Sequence, residues 1–419
     1  MASTYLQRTQ TAGNRRKGTF SAWVKRSALA YNYLMSWNST TSGLSLGDWI
    51  RFNNDKLDVI KYTGSVVHRL QTNRSFRDTS AWYHIVVAYD SEQVIASNRI
   101  KIYVNGVQET SFENSTYPSE DYDFEFNNNS IVACVGKNYN TEAAFDGSMS
   151  HVHWCDGTAY DASYFGSTDS VTGEWKINTS PSVTYGTNGF FILKDGNSVT
   201  DQSGEGNNFT VGGGTLTKTE DNPSNVFCTL SPLYNIEGSY TLSGGNNVFT
   251  ATGGNDATFG TIAVSSGKFY FEAEFDSIKE ACYAGFADLE LINNIGTGNP
   301  LTSFIGMYRD DHTQLFGASQ TTYTSVSNGD IFGFAIDLDA SSGSKTVIIQ
   351  KNGSTIDTIT IPTANENNGF IPVVGDTTGG NPSGIVKCNF GNGYFGTTAV
   401  STAGTNASGN GIFEYDVPT

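Results

Sequence analysis

The sequence predicts an all-β protein built as two β-sandwiches. Of its 419 residues 46 are Gly and only 9 Pro, and 13% are aromatic, a composition that suits short strands joined by tight turns. No window keeps an apolar period of 3.6 residues over four turns, as an amphipathic helix would. Short alternating runs recur along the chain, decay through Gly and Asn near residue 200, and restart beyond 234. A chain longer than the roughly 250–300 residues at which one core stops growing is expected to carry two.

The first block has a consistent grammar. In TFSAWVKRS, Phe20, Ala22 and Val24 alternate with Ser21, Trp23 and Lys25, which predicts a strand with one face toward a core. WYHIVVAYDS and RIKIYVNGVQ follow, the second reaching Asn105-Gly106, a strong hairpin signal. SIVACVGKNY and FDGSMSHVHWCDG add two more strands. In the latter, Met149, His151 and His153 share one parity and Ser150, Val152 and Trp154 the other, so both histidines are expected on one face. A zinc or iron site there would need further ligands, which only His84 or a loop Asp could supply. The pair therefore reads as sheet residues with hydrogen-bonded rings, and Cys155 has no base at a recognisable spacing. Trp23, Trp82 and Trp154 read as core aromatics.

LTKTEDNPSNVFCTLSPL reads as an extended connector holding Pro223 and Pro232, giving expected boundaries of 1–215, 216–234 and 235–419. GKFYFEAEFD, EACYAGFAD, NGDIFGFAIDLD, KTVIIQKNGS, NGFIPVVGD and GIVKCNFGNGYFG then give a second set of alternating strands.

Charge separates the halves. Residues 1–215 carry 17 Lys and Arg against 21 Asp and Glu, a balance of −4, whereas 216–419 carry 7 against 20, a balance of −13. Such a field opposes nucleic-acid binding. Before the first acid, Asp48, the chain holds Arg8, Arg15, Arg16, Lys17, Lys25 and Arg26. Of these, Arg8, Arg15, Arg16 and Lys17 are candidates to dock on an acidic partner, the alternative being a solvated basic arm. Five widely spaced cysteines form no metal spacing and no even-numbered disulfide framework. MASTYLQRTQ lacks an apolar leader core and no run of 18 apolar residues occurs, which predicts cytoplasmic synthesis without membrane insertion.

The strings FSAWVKRS, AWYHIVVAYD, IKIYVNGVQ and FDGSMSHVHWCDGTAYDASYFG resemble the concanavalin A-like, laminin-G-like jelly-roll family over residues 3–210, with DASYFG as a short helical turn after the closing strand. GKFYFEAEFD, YAGFAD, GDIFGFAIDLD with IIQKNGS, and NFGNGYFG resemble, in that order, the SPRY (B30.2-like) sandwich. The tandem, joined by DNPSNVFCTLSPL, is similar to structural proteins of tailed bacteriophages, particularly of marine bacteria and cyanobacteria. That resemblance implies a virion protein exposed on the particle surface, an appendage, fibre or capsid decoration. Its expected partners are other virion proteins, further copies of itself, as a trimer for example, and host surface polysaccharide.

The chemistry implied at sites follows from these resemblances. The laminin-G family often holds Ca²⁺ at its rim, and SEDYDFEFNNN offers Glu120, Asp121, Asp123 and Glu125 as oxygen donors, although no known loop signature is matched and no other cofactor is expected. Loops at one edge of SPRY-like sandwiches form binding surfaces, making Tyr308, Arg309, Asp310, Asp311 and His312 candidate glycan contacts, or else contacts between copies. Hydrolases share the jelly-roll class and need paired carboxylates. Glu272, Glu274 and Asp276 alternate onto one face, but in the second block and away from the hydrolase spacing, so they read as a solvent-facing strip. No nucleophile-elbow, P-loop or zinc-protease string occurs. The expectation is a non-enzymatic, glycan-binding virion protein; a polysaccharide depolymerase and a purely architectural cement protein are the alternatives.

Overall fold

The computed structural model describes residues 4–38, 47–139, 143–194, 198–234, 240–252, 256–277, 282–292, 300–308, 312–323, 325–377 and 384–419. The chain divides into two compact units, Met1–Lys218 with Asn222–Ser224, and Thr219–Asp221 with Asn225–Thr419. Both are antiparallel β-sandwiches, as the alternating runs predict.

The first unit contains β1 (Tyr5–Thr9), β2 (Lys17–Arg26), β3 (Asn32–Asn38), β4 (Gly47–Asn53), β5 (Lys56–Tyr62), β6 (Val66–Ser75), β7 (Trp82–Asp90), β8 (Ile100–Val104), β9 (Val107–Gln108), β10 (Phe112–Thr116), β11 (Val132–Val135), β12 (Gly147–Asp156), β13 (Gly166–Thr168), β14 (Trp175–Ile177), β15 (Phe190–Ile192) and β16 (Thr210–Gly213). Among the described residues one sheet runs β10-β6-β5-β4-β3-β11-β1-β16 and the facing sheet β15-β12-β2-β7-β8-β9. The core between them takes Phe20, Ala22 and Val24 from β2, Ile85, Val87 and Tyr89 from β7, and Ile100, Ile102 and Val104 from β8. Against these pack Leu34 and Trp37 from β3 and Ile50 and Phe52 from β4. Period-two side-chain alternation therefore sends Ser21, Trp23, His84, Lys101 and Tyr103 to the outer face of the second sheet. All six tryptophans of the sequence fall in this unit.

The β8–β9 hairpin turns at Asn105 (φ 47°) and Gly106 (φ 82°), left-handed at both positions as a type I′ turn requires. A Cβ on Gly106 would stand 2.4 Å from the Trp175 ring, so the turn is glycine for two reasons.

One parity expectation fails. The pairing of β12 with β2 shifts register between Ser150 and His153, and His151 adopts φ 50°. This bulge inserts one residue, so Met149 packs on the same core as Val152 and Trp154 instead of sharing a face with His153. Trp154 lies in that core, whereas Trp23 is buried on the outer face against His84.

The second unit contains β17 (Tyr240–Ser243), β18 (Val248–Ala251), β19 (Asp256–Phe259), β20 (Lys268–Ser277), β21 (Cys282–Asp288), β22 (Phe304–Tyr308), β23 (His312–Leu315), β24 (Ala318–Thr322), β25 (Asp330–Asp337), β26 (Thr346–Lys351), β27 (Ser354–Thr360), β28 (Phe370–Asp376), β29 (Ile385–Asn389), β30 (Tyr394–Phe395) and β31 (Thr398–Ala399). Its sheets run β17-β18-β29-β20-β25-β26-β27 and β19-β28-β21-β22-β23-β24 among the described residues. Phe271, Ala273 and Phe275 of β20 and Phe332, Phe334 and Ile336 of β25 face Ala284, Phe286, Ile305 and Met307 across the core. Part of the stretch expected to be a connector joins this unit: Leu230 is fully buried in the core and bridges Gly260.

Candidate functional site: a polar cleft on the first sandwich

The outward-facing ends of β7 and β8 supply Ala88 and Asp90, and Lys101 and Tyr103, to the floor of a cleft of about 250 Å³. Gln93 and Asn98 form one wall, and Ala159, Tyr160 and Asp161 the other. Both walls are anchored. Arg99 donates to the carbonyls of Gln93 (2.8 Å), Val94 (2.9 Å) and Pro118 (2.9 Å), which fixes the loop after β7. Gln93 Nε2 donates to Asp90 Oδ2 at 2.7 Å. On the other side the Tyr160 amide donates to Thr19 Oγ1 (2.7 Å), and its hydroxyl accepts from the Thr184 amide (2.9 Å). Asp161 caps the helical turn Ala162–Tyr164, the one expected in DASYFG, by accepting from the Ser163 amide at 2.8 Å.

Three groups in this fixed frame remain available. The Lys101 ammonium, the Asn98 amide and the Tyr103 hydroxyl make no side-chain hydrogen bond or ion pair among the described residues. Burial, and then the Asp161 charge, push the Tyr103 pKa up, so the hydroxyl stays protonated and can donate. The arrangement sets two tyrosine side chains beside amide, ammonium and carboxylate groups, the mixture of aromatic and polar chemistry that suits a sugar. The outer face of the other sheet is different: Tyr31, Tyr33 and Trp49 surround Arg51, whose charge is already matched by Asp58 at 2.8 Å.

Beneath the same outer cover lie the histidines. Trp175 Nε1 can only donate, and it donates to His84 Nδ1 at 2.9 Å; the His84 proton is then on Nε2, 2.9 Å from Ser21 Oγ. Burial pushes the His84 pKa down to about 3, in accord with this neutral tautomer. His153 contacts the Tyr185 hydroxyl through Nδ1 at 3.0 Å and stacks on Phe191, and burial holds its pKa well below the usual range. Burial raises the Cys155 thiol, which keeps its proton. These are hydrogen-bonded sheet residues, and no cluster of three or more His, Cys, Asp or Glu suited to a metal occurs among the described residues.

The proposed calcium loop and the proposed docking cations already have partners within the unit, in part each other. Arg16 pairs with Asp121 (2.9 Å) and Asp123 (3.2 Å), and Arg15 donates to the Phe124 carbonyl at 2.8 Å. Glu125 is taken by Lys61 (2.9 Å), and Glu120 lies 3.6 Å from Arg99. Lys17 pairs with Glu92 at 2.7 Å, and Arg8 bonds to Asn207. The basic segment is thus no free arm: it is strands β1 and β2 with the segment between them, and the acidic loop pairs with its Arg16 while Lys17 pairs with Asp90 and Glu92. Repulsion among the carboxylates, which would favour a cation, is relieved by arginine and lysine.

Of the second candidate site, Arg309, Asp310 and Asp311 lie outside the described residues. Tyr308 is not a loop platform: it is 7% exposed in a cluster with Tyr283 and Phe304, and its ring meets His312 edge-on at 5.3 Å. Glu272 is likewise not solvent-facing. Fully buried, it accepts from Asn389 Nδ2 (3.1 Å) and from the amides of Glu414 and Tyr415 (2.9 Å each), clasping the C-terminal segment. Glu274 and Asp276 share a face, as expected, and both approach Lys387, at 3.5 and 3.0 Å. No helix is long and apolar enough to cross a membrane among the described residues.

Sequence reasoning missed the cleft. Its signal was the outward parity of RIKIYVNGV, which places Lys101 and Tyr103 on one strand face. The opposite wall, 58 positions on, carried no mark of belonging to it.

Residues 2–163, which include every residue lining the cleft, match the Laminin_G_3 family model of the concanavalin A-like lectin/glucanases superfamily. No curated protein matches the sequence. Among solved structures the chain is similar to a human SPRY domain, with 14% identity, 36% of this chain and 93% of that one covered, and a TM-score of 0.26. It is also similar to the TRIM65 PSpry domain, at 16% identity, covering 39% and 91%, with a TM-score of 0.29. A third is domain 4 of AbnA, an extracellular arabinanase of Geobacillus stearothermophilus solved with arabinotriose, at 16% identity, 37% and 67%, and a TM-score of 0.28.

Proposed function

We propose that this protein is a non-enzymatic glycan-binding component of a tailed-bacteriophage particle, an appendage, fibre or capsid decoration, that engages host surface polysaccharide through its first sandwich. The observation that carries the binding reading is the cleft, where Tyr103 and Tyr160 stand beside Lys101 and Asn98, whose side chains make no hydrogen bond or ion pair among the described residues. The match of residues 2–163 to a superfamily of lectins and glucanases supports a carbohydrate ligand. The virion assignment rests on the order of sequence motifs along the chain, and assembly of several copies into a ring or trimer goes with it. The acidic residues that a depolymerase would draw on, Glu272 and Glu274, are held by the C-terminal segment and by Lys387, which favours binding over cleavage.

The test is a glycan array probed with the intact protein and with Tyr103→Ala and Tyr160→Ala. Binding that falls at least about tenfold in either variant, with no reducing sugar released by the wild type, is the expected result. Equal binding by all three proteins removes the cleft from the proposal, and sugar release replaces it with an enzyme.

A further inference from the structure

The cleft's charges are unequally satisfied, and the imbalance points to a class of sugar. Asp90 lies 3.8 Å from Lys17 Nζ and accepts from Gln93, so its charge is spoken for. Asp161 accepts from both the amide and the hydroxyl of Ser163, within its helical cap. Lys101 makes no side-chain hydrogen bond and no ion pair among the described residues. It sits two positions from Tyr103 on the same face of β8, a spacing of about 7 Å along a strand. A sugar ring lying on the tyrosine would bring an anionic substituent to that ammonium. The volume, about 250 Å³, lies below the roughly 300–1,000 Å³ of drug-sized pockets, so the part of a ligand it takes is small. The N-terminal half is close to charge balance, at −4, so a polyanion approaching it meets little of the repulsion that the −13 of the C-terminal half would impose.

We infer that the cleft selects anionic glycans, with Lys101 receiving a uronate carboxylate or a sulfate ester of the sugar stacked on Tyr103. This inference rests on the glycan-binding reading of the same cleft. A lysine, as a point charge with three donors, suits either anion.

The intact protein is titrated calorimetrically with oligogalacturonate, with its carboxyl-reduced neutral counterpart, and with a sulfated galactan oligosaccharide. One or both anionic probes should bind about fivefold or more tightly than the neutral one, the gain of a partly solvated ion pair. Which anion binds distinguishes carboxylate from sulfate. Lys101→Gln should erase the preference without abolishing binding, and Lys101→Arg should retain it. Equal binding of charged and neutral probes, or a preference that survives in Lys101→Gln, overturns the inference and leaves glycan binding standing. No binding of any probe, with no hit on the array, overturns both.

Discussion

At the residue scale the buried ionisable groups set how the first unit responds to acid. His84 ionises at about 3 in the fold, against an ordinary value of 6.5. Between those values the unfolded chain binds a proton the fold excludes, so stability rises with pH across that window and is complete above it. His68, also lowered to about 3 by burial, acts in the same direction. Asp48 opposes them: burial raises it from 3.8 to about 6, so its contribution is present below 3.8 and is lost as pH rises through 6. The histidines outweigh it, and acid should weaken the fold. His84→Gln should shrink the gain in unfolding free energy between pH 4 and pH 6 by about 2 kcal/mol, read from urea unfolding followed by near-ultraviolet circular dichroism. An unchanged gain would mean that His84 takes up its proton in the folded state.

At the scale of elements, register and turns carry the architecture. Gly106→Ala meets two penalties, a left-handed backbone and a Trp175 ring 2.4 Å from the new methyl group. It should lower stability by about 2–3 kcal/mol. Gly64→Ala, with φ 92° but open space around it, should cost only about 1 kcal/mol. Equal shifts in the urea midpoint for the two would show that the tryptophan yields without cost. Much of this level was legible in the sequence. The alternation Phe20, Ala22, Val24 and the dipeptide Asn105-Gly106 are local, and local periodicity decides them. The bulge at His151 was not legible, because a single inserted residue leaves no compositional trace yet reverses parity beyond it. Neither was the pairing of Arg16 with Asp121, since each residue read alone is an exposed charge awaiting a partner. Glu272 misled for a similar reason: its alternation places it on an outer face, and only the returning C-terminal segment buries it.

At the scale of the whole molecule the two units differ most in charge. The C-terminal half, with 20 acids against 7 bases, is under self-repulsion that salt screens; the N-terminal half, with 21 against 17, is nearly balanced. The fragments 1–218 and 219–419 have separate cores and should fold separately. The thermal midpoint of 219–419 should rise as sodium chloride is raised from low to physiological strength, and that of 1–218 should change little. Matching shifts in both fragments would indicate that the acids of the second sandwich are compensated pair by pair.

The confinement of every tryptophan to the first unit makes the intact chain optically one-sided. Excited at the red edge of its ultraviolet absorption, it emits from indoles of the first sandwich alone, among them Trp175, stacked 6.0 Å from His84 on the cleft side of the sheet. A sugar entering the cleft would be seen as a change in colour or brightness without any attached label. A ligand of the second sandwich would leave that light unchanged.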